Sequence, residues 1–282
     1  MRSSDKTLIS ILTILVSVIS YSLAQPDGDS WAKISKSGTG EVSIVYYEQA
    51  GLIEKNKTGQ LQGLIVEILN QFVAFIKTNY NYLVTLKYTQ EEDAVKFFQV
   101  IDFKPNVLGV GNISITDERK LKYKFTPPYI PNVLQLITNM KTPTISTMKD
   151  LAGLNGYNGY VVAPSSTERV IERILKAYLP LSHITSKETD LLVFDAIVKD
   201  PKSFSIFDFT ELLTAKRRNI LIKAHPVPLE KTEDFGFIMS KKSDWDIVWN
   251  KFLTEDYKSS AEFRKNVVKY LGPLYLQRLK KN

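Results

Sequence analysis

The 282-residue chain is 44% hydrophobic and 11% aromatic, enough for one large core or two smaller ones, and carries a modest formal charge of +7. It has no cysteine, which excludes disulfides, thiolate metal sites, a cysteine nucleophile and a lipid anchor on an N-terminal cysteine. Its two histidines, His183 and His225, lie far apart with no HxH or HExxH spacing, so no metal site and no cofactor are expected.

The first stretch differs in kind from the rest. Arg2 and Lys6 precede an uncharged run from Thr7 to Leu23, and Ser22-Leu23-Ala24 puts small residues at a cleavage position, so residues 1–24 read as a signal peptide. The alternative is an uncleaved anchor, since the run approaches the ~18–20 apolar residues that span a bilayer. Cleavage would lower the formal charge to +6, because Arg2, Lys6 and Asp5 leave together. The densest basic clusters, Lys216-Arg217-Arg218 and Lys280-Lys281, are not interleaved with aromatics, and no nucleic-acid partner is expected.

Further on, short β-type runs alternate with longer helical ones, which predicts an α/β protein with parallel or mixed sheets. Val42–Tyr47 reads as a strand. Gly63 opens a helix whose face carries Leu64, Ile65, Ile68, Leu69, Phe72 and Ile76. Leu83–Tyr88 is a second strand, Glu91–Val100 a helix, and Val107–Ile113 a buried strand running into the polar turn Ser114–Arg119. Pro127, Pro128 and Pro131 mark a crossover, followed by strands at Val133–Thr138 and Tyr160–Ala163. Ser165-Ser166-Thr167-Glu168 then gives a helix start that Pro180 stops. Phe204–Phe207 is a short strand ending on Asp208, and Ile220–Lys223 and Phe235–Met239 are further strands. Helices follow from Asp244 to Leu253 and from a cap at Ser259 to Gly272.

Three polar clusters fall at strand ends, where open α/β sheets present ligands. The octapeptide Asn112–Arg119 combines hydroxyls at Ser114 and Thr116, backbone donors at a helix start and the Arg119 guanidinium, a set suited to a carboxylate. The same residues also fit a capped surface turn. Ser165, Ser166 and Thr167 offer a second helix start, for an anion or as ordinary capping. Asp208 is placed to meet an ammonium group, or is simply a loop residue. Of the adjacent Tyr46 and Tyr47, strand alternation sends one to a cleft and one to the core, and Tyr46 is expected to face the ligand.

Taken in order, Gly59 and Gly63, Gly111–Arg119, Phe125–Tyr129, Lys149–Gly153, Ser165–Glu168, the strand ending at Asp208, and Phe235–Phe237 resemble the family 3 extracellular solute-binding proteins. That group binds amino acids and shares its fold with the ligand-binding cores of ionotropic glutamate receptors. The resemblance spans about residues 40–272. It implies a two-lobed type II periplasmic-binding fold, each lobe a mixed sheet flanked by helices, with one lobe from residues 36–130 plus 234–282 and the other from 131–233, joined by two crossover hinge strands. It also implies that Arg119, Ser114 and Thr116 bind a ligand carboxylate, that Thr167 approaches it from the other lobe, and that Asp208 accepts its ammonium; Asn112, Ser166 and Tyr46, read from the strand and helix ends themselves, are the further candidate ligand-binding residues. Ala163-Pro164, in place of the usual glycine before the hydroxyl pair, and Gly111-Asn112, where many relatives carry hydroxyls, depart from the pattern, as does the approach to Asp208.

The function implied is reversible capture of an amino acid or similar small polar solute outside the cytoplasm, by a monomer that delivers it to a membrane permease or senses it. The rivals are a lyase or dehydratase on the same fold and a sensory lobe. Catalysis would need a positioned acid or base; no histidine lies near the three clusters, which leaves carboxylates such as Glu48 or Glu118.

Overall fold

A computed structural model describes residues 27–162, 165–229, 234–273 and 275–276. The expected signal peptide at 1–24, Ala163-Pro164 and Lys280-Lys281 lie outside the described residues.

The elements run in the order α1 (Trp31–Ser37), β1 (Thr39–Tyr46), β2 (Glu54–Lys55), β3 (Leu61–Gln62), α2 (Leu64–Tyr80), β4 (Leu83–Gln90), α3 (Ala94–Phe103), β5 (Val107–Val110), α4 (Asp117–Lys122), β6 (Tyr123–Phe125) and β7 (Ile130–Pro131). There follow β8 (Gln135–Asn139), a short 3₁₀ turn (Lys149–Leu154), β9 (Asn158–Val162), α5 (Ser166–Tyr178), β10 (His183–Lys187), α6 (Asp190–Lys199), β11 (Ser203–Phe207), α7 (Phe209–Arg217) and β12 (Ile222–Ala224). The chain then forms β13 (Asp234–Phe235), β14 (Ile238–Ser240), α8 (Asp246–Phe252), α9 (Glu255–Ser259) and α10 (Ala261–Leu271).

These elements build two mixed five-stranded sheets, one per lobe. In the first, ordered β4-β1-β5-β14-β6, β1 runs parallel to β4 and β5 while β14 is antiparallel to β5 and β6. In the second, ordered β10-β9-β11-β8-β12, β9 is parallel to β10 and β11, and β8 is antiparallel to β11 and β12. Between them in chain order, β7 and β13 pair antiparallel, with Pro131 opposite Asp234 and Ile130 opposite Phe235. The expected strand Phe235–Met239 is therefore split: Phe235 pairs with β7, whereas Ile238 and Met239 join the first sheet.

The first lobe's sheet is covered on both faces. One face carries Val42, Ile44 and Tyr46 against α2, α8 and α10, with Phe72 stacked on Trp249 at 3.7 Å between ring centroids. The other carries Val45 against Phe97, Val100 and Ile101 of α3. The first core reaches back to Trp31 and Ile34 of α1, whose first backbone amides, Trp31 N and Ala32 N, donate to the Asp244 carboxylate at 2.8 Å each. Gly63, with φ 130°, leads into α2 where a Cβ would lie 2.1 Å from the Leu52 carbonyl oxygen, so only glycine fits. The last helix is capped by Ser260 rather than Ser259, which belongs to α9: Ser260 Oγ accepts from Phe263 N.

The second lobe packs Leu136, Val161, Ile171, Ile174 and Phe204 on one side of its sheet, and Ile137, Val193, Phe194, Ile197 and Phe207 on the other. Buried His225 ties its strands together. Nδ1 accepts from Ile145 N at 3.0 Å and Nε2 meets Thr138 Oγ1 at 2.7 Å. Because Nδ1 accepts, the proton of the neutral ring sits on Nε2. Among the described residues no helix is long and apolar enough to cross a membrane.

Candidate functional site

The loop after β5 and the short helix α4 hold the first polar cluster in place. Thr116 caps α4, accepting from Arg119 N at 3.0 Å, and Arg119 turns back so that Nη1 donates to the Ser114 carbonyl at 3.0 Å. The guanidinium lies over the Phe98 ring, 5.3 Å from its centroid, a cation–π contact. Ser114 and Thr116 are buried, and Ser114 bridges to Phe235 of β13. The carboxylate set expected from the octapeptide is thus gathered at one point, with the Thr116 hydroxyl already engaged as a cap.

Opposite it, Ser165 caps α5, accepting from Glu168 N at 3.1 Å, and its hydroxyl lies 2.9 Å from Thr167 Oγ1. Ser166 is the first residue of that helix; its side chain lies outside the described set. The two clusters touch across the lobes through an exposed ion pair, Arg169 to Glu118 at 2.8 Å, a contact of small energetic weight.

Asp208 is not a loop residue. It caps α7 in a full capping box, accepting from Thr210 N at 2.8 Å and Glu211 N at 3.2 Å, while the Glu211 carboxylate accepts from Asp208 N at 2.9 Å. Its side chain also accepts from Thr210 Oγ1 at 2.6 Å and, across the cleft, from Asn112 Nδ2 at 2.6 Å. Asn112 is held from its own lobe by the Tyr47 hydroxyl, which donates to Oδ1 at 2.7 Å, and Thr210 Oγ1 lies 3.0 Å from the Gln49 side chain. At the far end of α7, Arg217 pairs with Glu54 of β2.

Burial raises the Asp208 pKa, opposed by the hydrogen bonds from Thr210 and Asn112. Glu211 is pushed well up by burial and then by the charges of Asp208 and Asp190. Asp190, the first residue of α6, rises to about 6 for the same reasons, burial first and Asp208 second. Three carboxylates therefore share the second-lobe side, while Arg119 supplies the positive charge on the first. Among the described residues no group of His, Cys, Asp and Glu is placed to hold a metal ion.

The tyrosine pair corrects the expectation. Tyr46 packs into the main core of the first lobe, edge-on to Tyr88, and cannot face a ligand. Tyr47 is the residue at the cleft. Its ring packs edge-on to Phe97 and against Gly111, where a Cβ would come within 2.7 Å of it, so a glycine at 111 makes room for the ring.

Three solved structures share this architecture closely. A putative L-cystine ABC transporter protein from Listeria monocytogenes superposes with a TM-score of 0.66 at 16% identity, covering 83% of this chain and 97% of its own. The chain has the two-lobed fold of the solute-binding proteins. A protein of glutathione import through a cystine ABC importer of Streptococcus mutans matches with a TM-score of 0.65 at 22% identity, covering 82% and 95%. An ancestral amino acid-binding protein, a precursor of cyclohexadienyl dehydratase, gives 0.63 at 18%, covering 85% and 98%. No protein-family model matches the sequence, and no curated protein sequence matches it.

Residues that the sequence did not single out lie beside these clusters: Tyr47 in place of Tyr46, and Gln49, Thr210, Glu211 and Asp190. The signal for one of them, Glu211, was present, since Asp208-Phe209-Thr210-Glu211 is itself a capping-box pattern.

Proposed function

We propose that the protein reversibly captures a small carboxylate-bearing solute, of the amino-acid class or similar, between its two lobes, for import through a membrane permease or for sensing. In this reading residues 1–24 direct it outside the cytoplasm, β7 and β13 are the hinge strands, and the lobes divide near residues 130 and 234. The observation that carries the proposal is the contact of Asn112, on the loop that leads to Ser114, Thr116 and Arg119, with Asp208 of the other lobe, at strand and helix ends of a fold shared with transport proteins. Arg119 offers a planar fork that holds a carboxylate bidentately, and closing the lobes removes water and strengthens that contact.

Ligand titration of wild type and Arg119→Ala tests it. With the carboxylate removed from its cation, binding should weaken by about 2–5 kcal/mol while the fold is retained. An unchanged affinity would refute the role of Arg119. The kinship in fold with a dehydratase precursor makes a lyase the second reading, and Asp190, held near pH 6, is the group suited to proton transfer. Recovery of bound solute chemically unchanged after prolonged incubation would dismiss it.

A further inference from the structure

We infer that Asn112 makes the cleft selective for carboxylate solutes that lack an α-ammonium group. The inference rests on the capture reading above and narrows its solute class. An ionised carboxylate has about four lone-pair sites for hydrogen bonds. The Asp208 carboxylate meets four donors: Thr210 N, Glu211 N and Thr210 Oγ1 on Oδ1, and Asn112 Nδ2 on Oδ2. All four are neutral and belong to the protein. Two are backbone amides of the α7 cap and form wherever that helix forms; the third is the Thr210 hydroxyl, which also lies 3.0 Å from Gln49 Oε1, and the fourth comes from the other lobe.

The Asn112 amide is fixed in its orientation. The Tyr47 hydroxyl donates to Oδ1, so Nδ2 must face Asp208, and the flipped amide would set its oxygen against a carboxylate. The carboxamide therefore sits where a ligand ammonium would have to meet Asp208. Oδ1 already takes three donors, so an ammonium reaching Asp208 has to compete with Asn112 for Oδ2, weakening a short charge-assisted hydrogen bond and straining the chain from Tyr47 through Asn112 to Asp208 that joins the lobes. An acid without the amine uses Arg119 and leaves that chain intact. Discrimination arises because displacement leaves polar groups unpaired in a buried place.

The test is calorimetric titration of the purified protein with matched pairs: propionate and L-alanine, glutarate and L-glutamate, phenylpropionate and L-phenylalanine. Wild type is expected to bind the acid of a pair about tenfold or more tightly than its amino acid, and Asn112→Ala to move that ratio about tenfold or more towards the amine. Tyr47→Phe keeps the ring against Phe97 but drops the amide's anchor; it should shift the ratio in the same direction, and it serves if Asn112→Ala does not give a cooperative melt. Preference of wild type for the amino acids, or an unchanged ratio in both variants, overturns the inference and leaves the capture reading standing. Silence of wild type towards all six compounds overturns the capture reading and the inference with it.

Discussion

Acidification should unfold the second lobe through His225. The ring is buried and neutral, accepting at Nδ1 from Ile145 N and donating from Nε2 to Thr138, so a second proton has no acceptor and would break the Nδ1 bond. Its pKa falls from 6.5 to about 4, chiefly through burial and secondarily through the Lys223 charge. A group whose folded pKa is depressed binds more protons when unfolded, so its contribution is complete above 6.5 and is lost as pH falls towards 4. At about 1.4 kcal/mol per unit, the whole loss is about 3 kcal/mol. Urea unfolding of wild type and His225→Asn at pH 7 and pH 4 reads it. Asparagine keeps an acceptor for Ile145 N but cannot titrate, so the variant should start less stable at pH 7 and lose about 3 kcal/mol less than wild type on acidification. Equal losses in the two proteins would refute the assignment.

Asp190 has the opposite sign. Its folded pKa is raised to about 6 from 3.8, so ionisation penalises the folded state above that range and the penalty vanishes below about pH 4. Asp190→Asn should therefore raise stability at pH 7 by roughly 1–3 kcal/mol and give no gain near pH 3.5; thermal melts at the two values check it. Gly63→Ala should cost at least ~2 kcal/mol, because a Cβ at φ 130° would collide with the Leu52 carbonyl, and a melt within error of wild type would contradict the geometry.

Much of the scaffold was legible because one-sided periodicity is legible. The apolar face from Leu64 to Ile76 gave α2, and Ser165 with Glu168 marked the start of α5, where Ser165 Oγ accepts from Glu168 N. The elements missed had no such contrast. Helix α1 shows only Trp31 and Ile34 to its core, β10 is a mostly polar strand at a sheet edge, and α6 carries Leu191, Leu192 and Val198 exposed as well as Val193, Phe194 and Ile197 buried. The tyrosine choice failed for a related reason. Strand β1 is central, so Val42, Ile44 and Tyr46 enter one core while Val45 and Tyr47 face another, and hydrophobicity could not say which face opens on the cleft. Only the loop after β5, which brings Asn112 to Tyr47, decides it.

In the proposed function, the placement of α7 couples binding to closure. Its N-terminal end carries Asp208 and Thr210 to Asn112 and Gln49 and sets Phe209 against the first lobe's core, its middle adds Leu213 to that contact, and its C-terminal Arg217 reaches Glu54. Phe209 packs on Tyr275 at 4.6 Å between ring centroids, so much of this contact is apolar and indifferent to the solute. A solute shifts the closed arrangement only by the difference between its affinities for the closed and open forms. In that reading Arg119 and its neighbours on the first lobe meet a carboxylate in either form, and the difference comes from groups that meet the solute, or each other, only when α7 is docked. Asn112 and Asp208 are such a pair. A solute that spares their hydrogen bond adds its own contacts to the docked state, whereas one that breaks it spends part of its binding free energy undoing the contact that holds the lobes together.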